Sequence, residues 1–316
     1  MTFSIGNTLI DQSHVFIIAE MSANHCQDFS TAVALVKAAA SAGANAIKAQ
    51  TMEPENIAAD IPILTGYDAP HDAWVARMGV RTLHDLYAKG GLPRSWHHEL
   101  KHVAQEEGIE FLSTPFSIDA ARFLVREIGV PALKIASGDL TFTPLLEYAA
   151  STGLPLLVST GMATLSEVQT AVWGPLALAR EQRVCLLHCT SSYPLDPLQA
   201  NLAAITTMQE TVGCPVGYSD HSTDPILLPA LAVALGACCV EKHLKLDAAV
   251  RSPDAGHSLT PGQFRLMVEV IRAVPQWLGD GVKVPQQNEA HERLWTRRSP
   301  QDWKRPTDEG RAGTWA

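Results

Sequence analysis

The sequence has no apolar run approaching the roughly 20 residues that a bilayer-spanning helix needs. It also opens without a basic segment followed by an apolar stretch, so neither a membrane span nor a signal peptide is expected. The six cysteines, Cys26, Cys185, Cys189, Cys214, Cys238 and Cys239, include no CxxC pair. Several of them sit in apolar, strand-like runs, where a reduced cysteine behaves as a small hydrophobe. A cytoplasmic chain free of disulfides is therefore expected. Positive charge is scarce: 24 Lys plus Arg stand against 33 Asp plus Glu, a formal net charge of −9. That argues against nucleic acid as a main partner, because phosphate backbones need a basic face. A small anionic substrate stays open, since its site needs only a few well-placed cations. No GxGxxG follows the first strand candidate, which counts against a dinucleotide fold.

What is present is a long chain, 316 residues of which 46% are hydrophobic. It can bury a large core as one α/β barrel or as two smaller domains. Short apolar runs alternate with longer amphipathic ones, the pattern of repeated βα units on a parallel sheet. Strands are predicted at Val15–Ala19, Ala46–Gln50, Phe111–Thr114, Leu133–Ser137, Leu156–Thr160, Cys185–Thr190, Val216–Ser219 and Cys239–Leu244. Helices are predicted over Thr31–Ser41, Pro93–Glu107, Ser117–Ile128, Ser166–Arg180 and Pro225–Leu235. The first places Ala32, Leu35, Val36 and Ala39 on one face. Glycines such as Gly43, Gly108 and Gly129 mark helix ends. About eight units over roughly 250 residues fit a (β/α)8 barrel, with a doubly wound open sheet as the alternative.

Two stretches break the rhythm. The connection Thr51–Arg81 is long, with a short helix expected around Asp72–Met78, and it could cover the barrel mouth. From residue 285 to 316 the chain is polar and lacks a hydrophobic period, so a catalytic barrel over 1–284 and an extended or partly disordered arm are expected.

Polar residues gather at the C-terminal ends of the predicted strands, where barrel enzymes hold their sites. They include Glu20, Lys48 with Gln50, Thr114, Lys134 with Ser137, Ser159, His188, Ser191, Ser219 with His221, and Glu241 with Lys242 and His243. Any one of them could simply cap a strand. Lys48 and Lys134 stand inside apolar runs (AIKAQ and LKIAS), where an unpaired ammonium is costly. A bound phosphate or carboxylate ringed by hydroxyls would compensate them. A buried pairing with Glu20 or Glu241 would do the same, and a Schiff-base lysine is a third possibility. His221 and His243 end neighbouring strands and could hold a divalent transition metal or serve as capping groups.

The segments AEMSANHCQDF (19–29), KAQT (48–51), STPFS (113–117), KIAS (134–137), STGM (159–162), LHCTSSYP (187–194), GYSDHS (217–222), EKHLKLD (241–247) and SPDAGHSL (252–259) resemble, in order, those of the sialic acid synthase family. Those enzymes join phosphoenolpyruvate to an amino-sugar aldehyde. SANH-x-QDF and RTLHDLY (81–87) look most like its pseudaminic acid synthase branch. The resemblance implies a (β/α)8 barrel and manganese or magnesium held by His221 and His243. It implies that Lys48, Thr114, Lys134, Ser137, Ser159, Ser191 and Ser219 hold phosphoenolpyruvate, as point charges and donors without a Schiff base. Glu20, Tyr193 and Asp254 would face the sugar or reacting centre, with Asn24, His25 and Gln50 nearby. A homodimer is also implied. Family members commonly carry an antifreeze-like domain after the barrel. The resemblance covers the barrel alone, although RRS (297–299) is similar to the linker, so a barrel without that domain is expected. That expectation leaves room for a different aldehyde or a non-catalytic paralogue, and LDAAVRSP (246–253) also departs from the glycine-rich segment usual there, with Arg251 either a cationic contact to the acceptor or a solvent-facing residue.

Overall fold

The computed structural model describes residues 3–6, 8–11, 14–62, 80–179, 183–298 and 302–305. Two short strands, β1 (Phe3–Ile5) and β2 (Thr8–Ile10), pair as an antiparallel hairpin. Eight parallel strands follow: β3 (Phe16–Glu20), β4 (Ala46–Thr51), β5 (Glu110–Pro115), β6 (Leu133–Ile135), β7 (Leu156–Ser159), β8 (Val184–His188), β9 (Val216–Asp220) and β10 (Cys239–His243). Ladder hydrogen bonds run in the order β5-β4-β3-β10-β9-β8-β7-β6. The last strand pairs with the first, Cys239 to His243 against Phe16 to Glu20. Strands β5 and β6 lie side by side and complete the ring. A helix follows each strand, from Phe29–Ser41 after β3 to Pro261–Leu278 after β10. This is the expected barrel, not the doubly wound open sheet.

Local chemistry explains the elements. The Asp28 carboxylate accepts from the Thr31 amide at 2.7 Å and starts the helix Phe29–Ser41, whose buried stripe is the predicted Ala32, Leu35, Val36 and Ala39. Thr164 and Glu167 form a capping box ahead of Leu165–Trp173. Gly129 closes the helical run through Ile128 at φ +66°, a left-handed conformation costly for other residues.

Alternation along the strands sorts the interior into two cores. Ile17, Ala19, Ile47, Phe111, Leu133, Ile135 and Val158 point outward into the layer beneath the helices. Phe16, Ile18, Ala46, Leu112, Leu157, Cys185, Leu187 and Cys239 fill the barrel itself, and Ile5 and Ile10 of the hairpin close its floor. Gly217 faces this interior, where a Cβ would strike the Cys239 carbonyl at 2.6 Å. All six cysteines are free thiols.

Several elements were not foreseen: the hairpin, the helices Leu83–Gly90, Thr143–Ser151 and Ala204–Val212, and the long helix Pro261–Leu278. The expected helix at Asp72–Met78 lies outside the described residues. Contacts divide the chain into Met1–Trp277, which holds the barrel, and Leu278–Ala316. In the second unit, expected to lack regular structure, a capping box between Gln286 and Glu289 precedes a helix at Ala290–Thr296. No described helix is long and apolar enough to cross a membrane.

Candidate active site

Above the apolar floor, the inward positions of the strands turn polar. Ile18 gives way to Glu20, Ala46 to Lys48 and Gln50, Leu112 to Thr114, Ala132 to Lys134, Leu157 to Ser159, Gly217 to Ser219, and Cys239 to Glu241 and His243. These side chains line a cavity of about 570 Å3 at the C-terminal rim, completed by Ser137, Asp139, Ser191, Tyr193, His221 and Asp254 from the following loops. The volume suits a small-molecule ligand.

Charge is concentrated at its base. Lys48 Nζ forms an ion pair with Glu20, faces Glu241 Oε1 at 3.5 Å, and donates to Thr114 Oγ1 at 2.9 Å. Lys134 Nζ donates to Ser159 Oγ at 2.6 Å and faces Glu241 Oε2 at 3.8 Å. Glu241 thus lies between the two lysines, and Ser219 Oγ donates to it at 3.4 Å. Of the alternatives posed in sequence, the structure shows the Lys–Glu pairing, and that pairing borders the cavity. All four charged groups are buried. Burial pushes the Glu20 carboxyl up to about 7, against the pull of Lys48. Burial would neutralise Lys48, but Glu20 and then Glu241 hold its ammonium above the usual range. Burial pulls Lys134 down, with Glu241 only partly offsetting it. Both lysines outweigh burial at Glu241 and hold its carboxylate below the usual range. A side chain at Gly161 would strike Ser191 Oγ at 2.4 Å and Ser137 Oγ at 2.9 Å, and the Gly161 amide donates to Ser137 Oγ at 3.0 Å. Glycine is required where the backbone approaches these hydroxyls so closely.

One wall carries three imidazoles. His221 and His243 lie 5.7 Å apart between ring centroids, and His257 lies 4.4 Å from His243 and 5.9 Å from His221. Tyr193 packs over His221 at 4.4 Å. The Thr190 carbonyl lies 3.0 Å from His221 Nδ1, so a proton on that nitrogen leaves Nε2 as the free electron pair. His243 Nδ1 is buried without a hydrogen-bond partner. Ligand atoms of His243, Asp254 and His257 lie within 4.8 Å of one another, a donor set that a divalent cation fits.

Of the residues singled out in sequence, Glu20, Lys48, Gln50, Thr114, Lys134, Ser137, Ser159, Ser191, Tyr193, Ser219, His221, His243 and Asp254 line this one cavity. Asn24 and His25 do not. Asn24 donates to the Leu244 carbonyl at 2.8 Å and accepts from Ser252, and His25 Nε2 meets the Gly90 carbonyl at 3.3 Å. Their bonds fasten loops together, and neither side chain reaches the cavity lining. Three residues were left off the sequence's site list. Glu241 was considered there only as a partner for a lysine. Asp139, which lines the cavity, has its carboxyl pushed up to about 6 by burial, against Lys134. His257 stands in a quoted segment without a role; its signal was a third histidine close behind Asp254.

Comparisons with known proteins bear on the fold and the family. The chain is 38% identical to an N,N'-diacetyllegionaminic acid synthase of Legionella pneumophila, covering 90% of this chain and 79% of that one. It is 36% identical to a pseudaminic acid synthase of Campylobacter jejuni, covering 88% and 78%. These near-equal identities do not single out the pseudaminic branch. A crystal structure of N-acetylneuraminic acid synthetase from Leptospira borgpetersenii superposes with a TM-score of 0.78 at 35% identity, covering 92% of this chain and 95% of that one. Residues 35–283 match the NeuB family along most of the barrel, and the chain belongs to that family.

Proposed function

We propose that the chain is a phosphoenolpyruvate-dependent nonulosonic acid synthase that condenses phosphoenolpyruvate with an N-acylated amino-hexose aldehyde. The observation that carries this reading is the convergence of Lys48 and Lys134 on one cavity beside a wall of imidazoles. The family membership and the names of the relatives support it.

In this reading Lys48, Lys134, Thr114, Ser137, Ser159, Ser191 and Ser219 hold the phosphate and carboxylate of phosphoenolpyruvate through charge-assisted hydrogen bonds. Tyr193, Asp254 and Gln50 face the acceptor. His221 and His243 would hold a divalent cation, manganese or magnesium, which supplies Lewis-acid polarisation of the aldehyde oxygen. C3 of phosphoenolpyruvate attacks the aldehyde carbon, and its oxygen takes up a proton that comes, through Glu20, from the water added at C2, while the second proton of that water leaves with the phosphate. Glu20 steadies the positive charge that develops at C2 and takes a proton from the water that adds there. The C2–O bond then breaks, phosphate leaves with the bridging oxygen, and the 2-keto acid remains. The lysines neutralise the departing phosphate.

Incubation of phosphoenolpyruvate labelled with 18O at the bridging position, a manganese salt and a panel of N-acylated amino-hexoses tests this directly. Labelled phosphate should appear only when a suitable sugar is present. No phosphate with any sugar, or label retained in the organic product, would overturn the reading.

A further inference from the structure

We propose that His257 supplies a third imidazole to the cation site, making it a nitrogen-rich centre instead of a two-histidine one. The inference rests on the cation reading for His221 and His243 given above and adds a ligand to it.

Three observations lead there. His257 is 1% exposed, and its Nε2 is buried without a hydrogen-bond partner. A buried ring nitrogen left this way loses its water and gains nothing in return, which is costly unless a ligand occupies the gap. Second, the neighbouring buried nitrogen without a partner is His243 Nδ1, and the two rings stand edge to face at 4.4 Å. Third, Asp254 is already oriented. Its Oδ2 accepts from Ser22 Oγ at 2.5 Å and from the Ala23 amide at 3.4 Å, while Oδ1 lies 3.7 Å from His257 Nε2. That separation exceeds a hydrogen bond. The carboxylate and imidazole thus stand at ion-pair distance with no hydrogen bond between them, and ligand atoms of both lie within 4.8 Å of one on His243.

Local structure explains why His257 reaches this wall. The loop after β10 turns back through Asp254 and returns to the barrel at Leu259, which bridges to Leu244. Ser258 Oγ donates to the Asp254 carbonyl at 2.6 Å and fixes the turn. The His257 ring is then buried against Tyr193, at 5.2 Å between ring centroids. The alternative is a packed core histidine with no ligand. It accounts for the Tyr193 contact but leaves two adjacent orphaned nitrogens unexplained.

The donor set has chemical consequences. Magnesium prefers octahedral oxygen ligation and keeps its waters, whereas imidazole suits transition metals. Three imidazoles should therefore favour manganese, iron, cobalt or zinc over magnesium.

The test is spectroscopic and needs no turnover. Metal-free protein loaded with Mn2+ is examined by electron spin echo modulation, which counts coupled imidazole nitrogens, and Mn2+ affinity is measured by calorimetry. Wild type should show three imidazoles. His257→Phe, which keeps a ring against Tyr193 but offers no nitrogen, should show two and bind Mn2+ about tenfold or more weakly. The preference for Mn2+ over Mg2+ should narrow with it. Two imidazoles in wild type, or identical spectra and affinity in both proteins, would overturn the inference and leave the proposed reaction intact. Failure of wild type to bind any divalent cation would overturn both this inference and the metal part of the reading above. If the variant does not fold, the wild-type count alone still decides.

Discussion

Two buried lysine clusters share strand β10 and its surroundings, yet they differ in completeness. Lys242 and Asp220 are both fully buried on the outer face of the sheet. Lys242 Nζ meets Asp220 Oδ2 at 2.5 Å and also donates to the Ser222 carbonyl and hydroxyl, so its hydrogen-bonding capacity is satisfied. One residue earlier, Glu241 points the opposite way, into the barrel, where it is shared between Lys48 and Lys134. Lys134 has one short bond, to Ser159, and a long one to the Ile135 carbonyl at 3.4 Å, and Glu241 stands off at 3.8 Å beside open volume. Burial of charge alone is thus no sign of function. A charge held by long contacts at the border of a cavity is the informative feature.

The sharpest way to break this comparison is to remove a ligand of the cavity wall. His243→Ala should abolish metal-dependent turnover while circular dichroism and the unfolding midpoint stay near wild type; turnover unchanged would remove the imidazole wall from the chemistry. On the sealed side, Lys242→Met strands Asp220 in the core and should cost about 3–5 kcal/mol of stability by urea denaturation. A loss below about 1 kcal/mol would show that the pair is not sealed. Lys134→Met should do the reverse, with little change in stability. Loss of a charged hydrogen bond worth about 1.5–3 kcal/mol should raise KM for phosphoenolpyruvate about 10- to 100-fold, with KM for the sugar nearly constant. Equal effects on both would make this lysine structural too.

A smaller effect concerns protons. The Glu20 carboxyl, raised to about 7 by burial, must be ionised to accept a proton from water. Below that value the protonated fraction grows, so kcat should fall about tenfold for each further pH unit, and Glu20→Gln should remove the dependence along with most activity. A flat profile between pH 6 and 8 would exclude Glu20 as the base.

Much of this was legible in sequence, for identifiable reasons. Strand positions could be read because apolar runs mark sheets covered on both faces. Lys48 and Lys134 could be read because charge interrupts those runs. The same rule flagged Lys242, and sequence had no means of telling inward from outward, since one residue of register decides it. Asn24 and His25 lie in a motif that matches the family, but their partners are backbone carbonyls at Leu244 and Gly90, far along the chain. Asp139 ends the one-turn helix Ser137–Asp139 and His257 lies in a loop, and at neither position does a period place the side chain. The helix Pro261–Leu278 carries Pro275 inside it, which interrupts the helical signature. At Ala290–Thr296 a short polar run hides a helix that follows the capped turn Gln287–Glu289.

The edge between β5 and β6 bears on what a ligand does to the protein. The two strands adjoin, but among the described residues no ladder bonds join them. Thr114 stands on one side of this gap and Lys134 on the other. A phosphate gripped by both would act as the missing rivet, tightening the hoop from inside. Saturation with phosphoenolpyruvate should then slow amide exchange in Phe111–Thr114 and Leu133–Ile135 more than in β8 or β9; uniform slowing would mean that the gap is already rigid.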